Sequence, residues 1–534
     1  MSFESMIGLV APGYAAKRAK AKLDLARYEA AKTVVASGYG NYAASHNRSG
    51  TKSWFADGGS SKQDIDDHID TLRKRSRDAV MGVPLAAAAV KTVRTNVIAG
   101  GLVPTPQVDG EALGMEPEQV SVLQAQIVRE FALWAESVAC DSERRDNFYQ
   151  LQKIAFYGMV VNGDTPALME MKEMVGTPYK TCVKILEADQ LCSPNQNDRL
   201  YPCKVEGHDV QRIVQGVETN ESGEICAYWF CNHHPLDSTQ GEKRWERVIA
   251  RGEKTGRPNV IHLFDKERSG QRRGVPMLAP VLESIKQLGR YTQAELDAAV
   301  VAALFTVFVE RQEESDDSLF GEFQKQSDTE KLGDFAPGMD AGQDIKMGNG
   351  AIISLAPGEK ANIAAPGRPN AGFEAFYNAV TMDIASGMEI PVEVLRKQFS
   401  TSFSAARGAL NEFWRTCGML RDLFSEQFCQ PIYEAWFSEA VALGRIKAPG
   451  YWNDPIIRKA YTNCMWNGPA RTNLNPVQEV QAAQQRVENG FTTAEQETAQ
   501  ISGGSYEANM RQRKIEQRLK REVEEIGSTQ PTVL

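Results

Sequence analysis

Four groups of residues carry side chains that could do chemistry. Cys226, Cys231, His233 and His234 crowd into nine residues, with Cys192 and Cys203 upstream. Thiols and imidazoles at that density are what a tetrahedral zinc site draws on, normally as close Cys pairs a loop apart. Here, however, Cys226 and Cys231 lie in an apolar run, ICAYWFC, that reads as a strand. Alternate strand residues face opposite sides, so an odd separation puts the two thiols on opposite faces and spoils a shared ligand set. No metal is expected. Gly252-Glu253-Lys254-Thr255-Gly256 echoes a phosphate-binding loop, but the first glycine stands at the wrong distance and no apolar strand runs straight into it. A turn between strands is the better reading. Glu313-Glu314 and Asp316-Asp317 read as solvated loop charge rather than an acid/base pair. With six histidines and no Gly-x-Ser-x-Gly elbow, nothing suggests a nucleophilic triad. By motif the chain is not an enzyme, and no cofactor is expected.

The fourth group is basic. Arg73, Lys74, Arg75 and Arg77 fall within five positions. On a helix they wrap around more than one face, which suits inter-subunit salt bridges or phosphate contact; a plain solvated surface is the alternative.

These residues must be held by a large scaffold. The chain has 534 residues, 42% hydrophobic and 24% charged, enough for several structural units. Its net charge is −9, opposite in sign to a surface that grips nucleic acid along its length. Any DNA contact is therefore local or transient. The longest apolar run, Ala298 to Val309, is about half a bilayer-spanning helix. No membrane contact is expected. The start lacks the order of a signal peptide. Nine scattered cysteines indicate reduced thiols in a cytosolic setting, most of them core fillers.

Along the chain, residues 1–60 read as a partly flexible arm with loop chemistry from Ser37 to Ser61. Helical periodicity begins at Lys62, with Asp64 as a cap, restarts at Pro84 and stops at Gly100-Gly101. Residues 118–160 are helical again, with Leu123, Ile127, Phe131 and Trp134 on one face. From Thr165 to about Phe264 alternation and turn residues predict a β-rich unit. Helix resumes at Pro276 and, after a broken acidic stretch over 311–370, again at Phe373. A long helix from Ser404 to about Leu443, with Phe413 and Phe424 inward, is expected to bend at Pro431. The tail is helical and charged; its last segment is expected to bury Ile515, Leu519, Val523 and Ile526. The class is α+β, mainly α.

Four segments, in order, resemble the lambda-type bacteriophage portal proteins. They are Asp64 to Pro104, Val260 to Leu282, Phe373 to Arg415 (with Gly-x-x-x-Pro and Ser-x-Ala-Arg-x-x-x-x-Glu-x-x-Arg patterns), and Asn463 to Gly503. Two departures are Met81-Gly82-Val83-Pro84, where the family usually has Arg-Asn-Asn-Pro, and Ser402-Phe403-Ser404-Ala405, where it has Asn-Tyr-Ser-Ser.

The resemblance implies the portal fold of wing, stem, clip and crown, forming a closed ring, generally of twelve subunits, with a central channel. It maps 61–270 to the wing and body, 271–300 and 371–388 to two stem helices, 301–370 to the clip and 389–402 to a channel loop. It maps 403–445 to the long wing helix and 446–534 to a crown-side helical region. It implies a ring in the virion at one capsid vertex, assembled in the host cytoplasm, through which double-stranded DNA is packaged and ejected. The implied partners are identical subunits, the terminase large subunit, major capsid and scaffold proteins, and a head–tail adaptor. Arg396, Lys397 and Gln398 are the channel-loop residues expected to approach DNA; surface charge on an interhelical loop is the plainer alternative. Two other readings, a different head–tail structural or adaptor protein and a packaging ATPase or nuclease, fit less well. The first would normally lack paired helices around a Gly/Pro-rich insert, and the second needs the missing phosphate loop.

Overall fold

The computed structural model describes residues 58–194, 212–237, 239, 241–304, 308–309, 353–354, 372–399, 402–471 and 475–528, plus residues 13, 17, 20–23 and 25 near the start. The chain divides into residues 1–60 and residues 61–534. Almost all of the arm and the clip, Cys203, and the acidic pairs at 313–317 lie outside the described residues.

The second unit opens with a π turn, Lys62–Asp66, then α1 (Ile69–Gly82) and α2 (Pro84–Val97). His68, not Asp64, occupies the position before α1, and its side chain makes no cap. Pro84 starts α2 because its fixed φ suits a first turn and its missing N–H has no intrahelical partner to lose. A short strand, β1 (Val103–Pro106), leads to α3 (Pro117–Ala135) and α4 (Phe148–Asn162). Asn147 caps α4 by accepting from Gln150 N at 2.9 Å, and Gln150 returns the bond to Asn147 N.

Strands follow as the alternation predicts. β2 (Asp164–Met171) is the middle of a three-stranded antiparallel sheet between β3 (Thr181–Ile185) and β8 (Val260–Phe264). A second sheet is a meander of β4 (Ile213–Val214), β5 (Val217–Thr219), β6 (Ile225–Cys231) and β7 (Trp245–Ile249).

The remaining elements are mainly helical, with a short parallel pair of strands at Phe308–Val309 and Ile353–Ser354. The helices are α5 (Leu282–Leu304), α6 (Phe373–Gly387), a one-turn α7 (Val392–Arg396), α8 (Phe403–Phe424) and α9 (Gln430–Ala442), then α10 (Pro455–Thr462). A strand, β9 (Cys464–Asn467), pairs antiparallel with β1 and brings the two ends of this unit's core together. The tail forms α11 (Pro476–Glu488), α12 (Ala494–Ser502) and α13 (Tyr506–Ser528).

The main core joins the inner faces of α2, α3, α4, α8 and α9. Its centre is aromatic: the Phe131 ring lies edge-on to Trp436 at 4.9 Å and to Phe148 at 5.8 Å, and Phe424 stacks on Phe428 at 5.2 Å. Between α8 and α9 the chain widens into a π turn, Ser425–Cys429, immediately before Pro431. Proline offers no N–H and its ring crowds the carbonyl four residues back. The expected irregularity is therefore taken up by a wider turn.

The tail departs from expectation. Ile515, Leu519 and Val523 are 54%, 53% and 68% exposed, so α13 presents its apolar row outward in the single chain instead of burying it. Sequence periodicity shows that a row exists but not which surface covers it. The side chain of Ile526 lies outside the described residues.

Candidate nucleic-acid interface

The segment between α6 and α8 is built on three buried apolar anchors. Met388, Ile390 and Leu395 are sealed in the main core and fix the chain between α6 and α8. Pro391 is extended and opens α7, and Lys397 ends it in the left-handed conformation with φ of 55°. The chain is not loop throughout: a helical turn carries Arg396, and only Lys397 onward leaves it. Arg396, Lys397, Gln398 and Phe399 are all exposed. Arg396 donates from Nη1 to Asn378 Oδ1 of α6, which steadies the turn. A shallow 300 Å³ hollow beside it is lined by Glu374 and Glu393 as well as Arg396 and Gln398, so its charge is mixed. The segment is an exposed rim on a fixed base rather than an enclosing ligand site.

The basic run divides by helical phase. Arg73 and Arg77 face inward, whereas Lys74 and Arg75 face solvent on α1. Arg73 is 1% exposed, which removes it as a phosphate or neighbour-subunit contact. Its Nη2 donates to Asp164 Oδ1 at 3.1 Å and its Nε to the Asn162 carbonyl at 3.3 Å. Arg77 donates to Asn162 Oδ1 at 2.7 Å and to Asp189.

Asp164, at the start of β2, is the centre of a charge hub that sequence reading did not single out. Arg273 grips it with Nε and with Nη2, the latter at 3.1 Å, and His262 Nε2 lies 3.1 Å from Oδ2. Asp164 and Arg273 are fully buried. The remaining Arg273 donors reach the carbonyls of Ala188 at 2.7 Å and Gln215 at 2.9 Å, and also Leu191. Burial alone would raise the Asp164 carboxyl, but the Arg273 and Arg73 guanidiniums outweigh it and hold the group well below the carboxylate range. Burial lowers His262 against the opposing pull of Asp164, which favours the neutral ring.

Two glycines permit the hub. A Cβ on Gly274 would lie 2.0 Å from the Gly163 carbonyl oxygen, so the two backbones cross where no side chain fits. The sequence offered little signal: His262 interrupts an apolar strand, but Arg73 lies in a basic run and Arg273 in a polar segment.

Other candidates resolve physically. Glu187, Asp189 and His234 come together, with His234 Nε2 3.8 Å from Glu187 and 3.9 Å from Asp189. Yet Arg77 already holds Asp189, and His234 Nδ1 accepts from Leu236 N at 3.2 Å. That bond puts the neutral ring's proton on Nε2, which then donates rather than ligates. Cys226 and Cys231 sit five positions apart on β6, with Cys226 half-buried at a register shift between β5 and β6 and Cys231 buried at the strand's end. Residues 252–256 form a closed turn in which Gly252 N donates to Arg257 O at 2.9 Å and Gly256 N to Gly252 O at 2.8 Å. Those N–H groups are taken and cannot cradle a phosphate. Among the described residues no helix is long and apolar enough to cross a membrane.

Comparison with known proteins decides between these readings. The family model described as "Phage portal protein, lambda family" matches residues 47–421. The chain belongs to the lambda family of phage portal proteins. The match takes in the charge hub, both helices α5 and α6, and the Arg396–Gln398 segment. The portal protein of Escherichia phage N15 is 24% identical over 439 residues, covering 80% of each chain. Portal protein B of Escherichia phage lambda is 23% identical over 438 residues, covering 80% of this chain and 79% of its own. Among solved structures, a chain of the "Virion of native gene transfer agent (GTA) particle" covers 81% of this chain and 92% of its own, at 11% identity and a TM-score of 0.36. A chain from the "Neck of native GTA particle computed with C12 symmetry" has the same coverages, 12% identity and a TM-score of 0.35. As a portal protein the chain is a structural component of the virion.

Proposed function

We propose that this portal protein assembles into a closed ring of identical subunits at one capsid vertex, through which double-stranded DNA is packaged and later ejected. In this reading residues 61–270 and 403–445 form the wing, α5 and α6 the stem pair around a clip at 301–370, 389–402 the channel loop, and 446–534 the crown side. The terminase large subunit docks during packaging, and a head–tail adaptor replaces it afterwards.

One observation carries the ring. Apolar rows stand uncovered in the single chain: Leu296 and Val300, one turn apart on α5, are 57% and 59% exposed, and Ile515, Leu519 and Val523 line α13. Contiguous apolar rows on a soluble surface mark contact sites. A head-to-tail interface repeated round a closed ring would cover both flanks of every subunit. The charge supports passage of DNA. Each phosphate neutralised adds affinity through counterion release, so a chain of net charge −9 with Arg396 and Lys397 on an exposed rim touches DNA without gripping it.

Native mass spectrometry tests the assembly. Twelve copies of 59.0 kDa give a closed species of about 708 kDa. Leu519→Arg should shift the population to smaller species while leaving the circular dichroism spectrum unchanged. A wild-type chain that stays monomeric even with scaffold and capsid proteins present would sink the ring reading.

A further inference from the structure

The thiols of Cys192 and Cys231 meet across a strand crossing that the portal reading does not use. Leu191 and Phe230 form an isolated antiparallel bridge, and Cys192 N donates to the Trp229 carbonyl at 3.3 Å. That register puts Cys192 and Cys231 on the same face as diagonal neighbours, with Cys192 Sγ donating to the Gln190 carbonyl at 3.6 Å and Cys231 Sγ to Asn232 Oδ1 at 3.6 Å. Both are free thiols and both are more than nine-tenths buried. The crossing is held on each side: Trp245 Nε1 donates to the Cys192 carbonyl at 3.2 Å, and Gln190 Nε2 to the Cys231 carbonyl at 3.4 Å. Cys231 is the last residue of β6, next to exposed Asn232, so fraying of the β6–β7 hairpin uncovers it without opening the core.

We propose that Cys192 and Cys231 are a redox pair, reduced while the chain assembles inside the host and closed to a disulfide when the particle meets an oxidising medium. The oxidant is a low-molecular-weight disulfide such as glutathione disulfide. The Cys231 thiolate attacks one of its sulfurs, forming a mixed disulfide and expelling one glutathione thiolate. That thiolate takes the Cys192 proton. Cys192 then attacks the Cys231 sulfur and expels the second glutathione, which takes up the proton that Cys231 released. Two protein thiols and one glutathione disulfide become one protein disulfide and two glutathione thiols. The order of attack follows the pair's electrostatics: the adjoining Cys192 thiol and the His233 backbone N–H hold the Cys231 thiol below its ordinary value, while its partner and burial push Cys192 up. The closed bond would clip the segment after residue 190 to the end of β6, constraining the unfolded chain between them. The inference does not depend on ring formation.

The test is peptide mapping of the full-length chain equilibrated in reduced and in oxidised glutathione, quenched in acid and alkylated after unfolding. Under the oxidised buffer a peptide linked through Cys192 and Cys231 is expected, with two fewer of the nine cysteines alkylated. The thermal midpoint should rise with oxidation in wild type and stay fixed in Cys231→Ser and Cys192→Ser. Full alkylation of both thiols in the oxidised wild type, or a link from either one to Cys203, overturns the proposal. The linkage is read on the wild-type chain, so the peptide map decides the matter even where a variant fails to fold.

Discussion

Replacing Asp164 by Asn should destabilise the fold of residues 61–534 more than almost any other single polar change. The substitution keeps the shape and one acceptor oxygen but removes the one carboxylate hydrogen-bonded to both buried guanidiniums, leaving Asp189 at 4.0 Å and Asp70 at 3.7 Å from Arg73 as the remaining nearby charges. Arg73 and Arg273 each lie 3.1 Å from Asp164 Oδ1. At an effective dielectric of about 20, each such pair is worth about 5 kcal/mol of attraction, most of it offsetting the cost of burying the charges. What is lost on substitution is the compensation. A buried pair broken on one side costs about 3–5 kcal/mol, a large part of the stability of a typical domain. The assay is urea unfolding followed by tryptophan fluorescence, with Arg73→Met and the Asp164→Asn/Arg73→Met double variant in the same series. If uncompensated charge is the cause, removing one guanidinium should make the double variant more stable than the sum of the two single effects implies. A cost below about 1 kcal/mol for Asp164→Asn, or strict additivity in the double variant, would refute the reasoning.

Three further outcomes follow from the same geometry. His262 is lowered below its ordinary value of 6.5 by burial, so its contribution is present above that pH and is lost as pH falls toward its folded-state value; His262→Gln should flatten the stability profile as pH falls below 6.5, read by thermal midpoint. Gly274→Ala should cost about 2–3 kcal/mol because its Cβ meets backbone at 2.0 Å, whereas Gly408→Ala, on α8 with nothing within 4 Å, should be neutral or slightly stabilising in the isolated chain by urea midpoint. Lys397→Ala should leave the fold and the assembly mass unchanged while altering the amount of DNA packaged per particle; packaged DNA equal to wild type would remove Lys397 from the channel role.

How much was legible in the sequence differs by element. Period-3.6 rows in α3 and α8 mark Phe131, Trp134, Phe413 and Phe424 as inward, and they are buried, because a helix of fixed pitch has one apolar side. Alternation and turn residues likewise locate β2 to β8. Parity alone separates Cys226 from Cys231, but the register shift at Cys226 belongs to the paired strands and is not carried by local spacing. The arginine run was legible only as charge. Whether Arg73 faced a neighbour or its own core depended on Asp164, 91 positions away, and on a Gly163–Gly274 crossing that local patterns do not encode. Cys192 and Cys231 meet for the same reason: the bridge from Leu191 to Phe230 is a long-range pairing. The row on α13 was visible, but burial is a relation between surfaces, and a periodic row specifies only one of them.

Element types, the acidic balance and the order of family-like segments are properties of the chain read residue by residue, because they depend on local pitch, turn chemistry and composition. Which charges are neutralised inside the chain, which thiols touch and which apolar rows stay open could be settled only in three dimensions. Each of those is set by groups far apart in sequence, brought together only when the backbone closes.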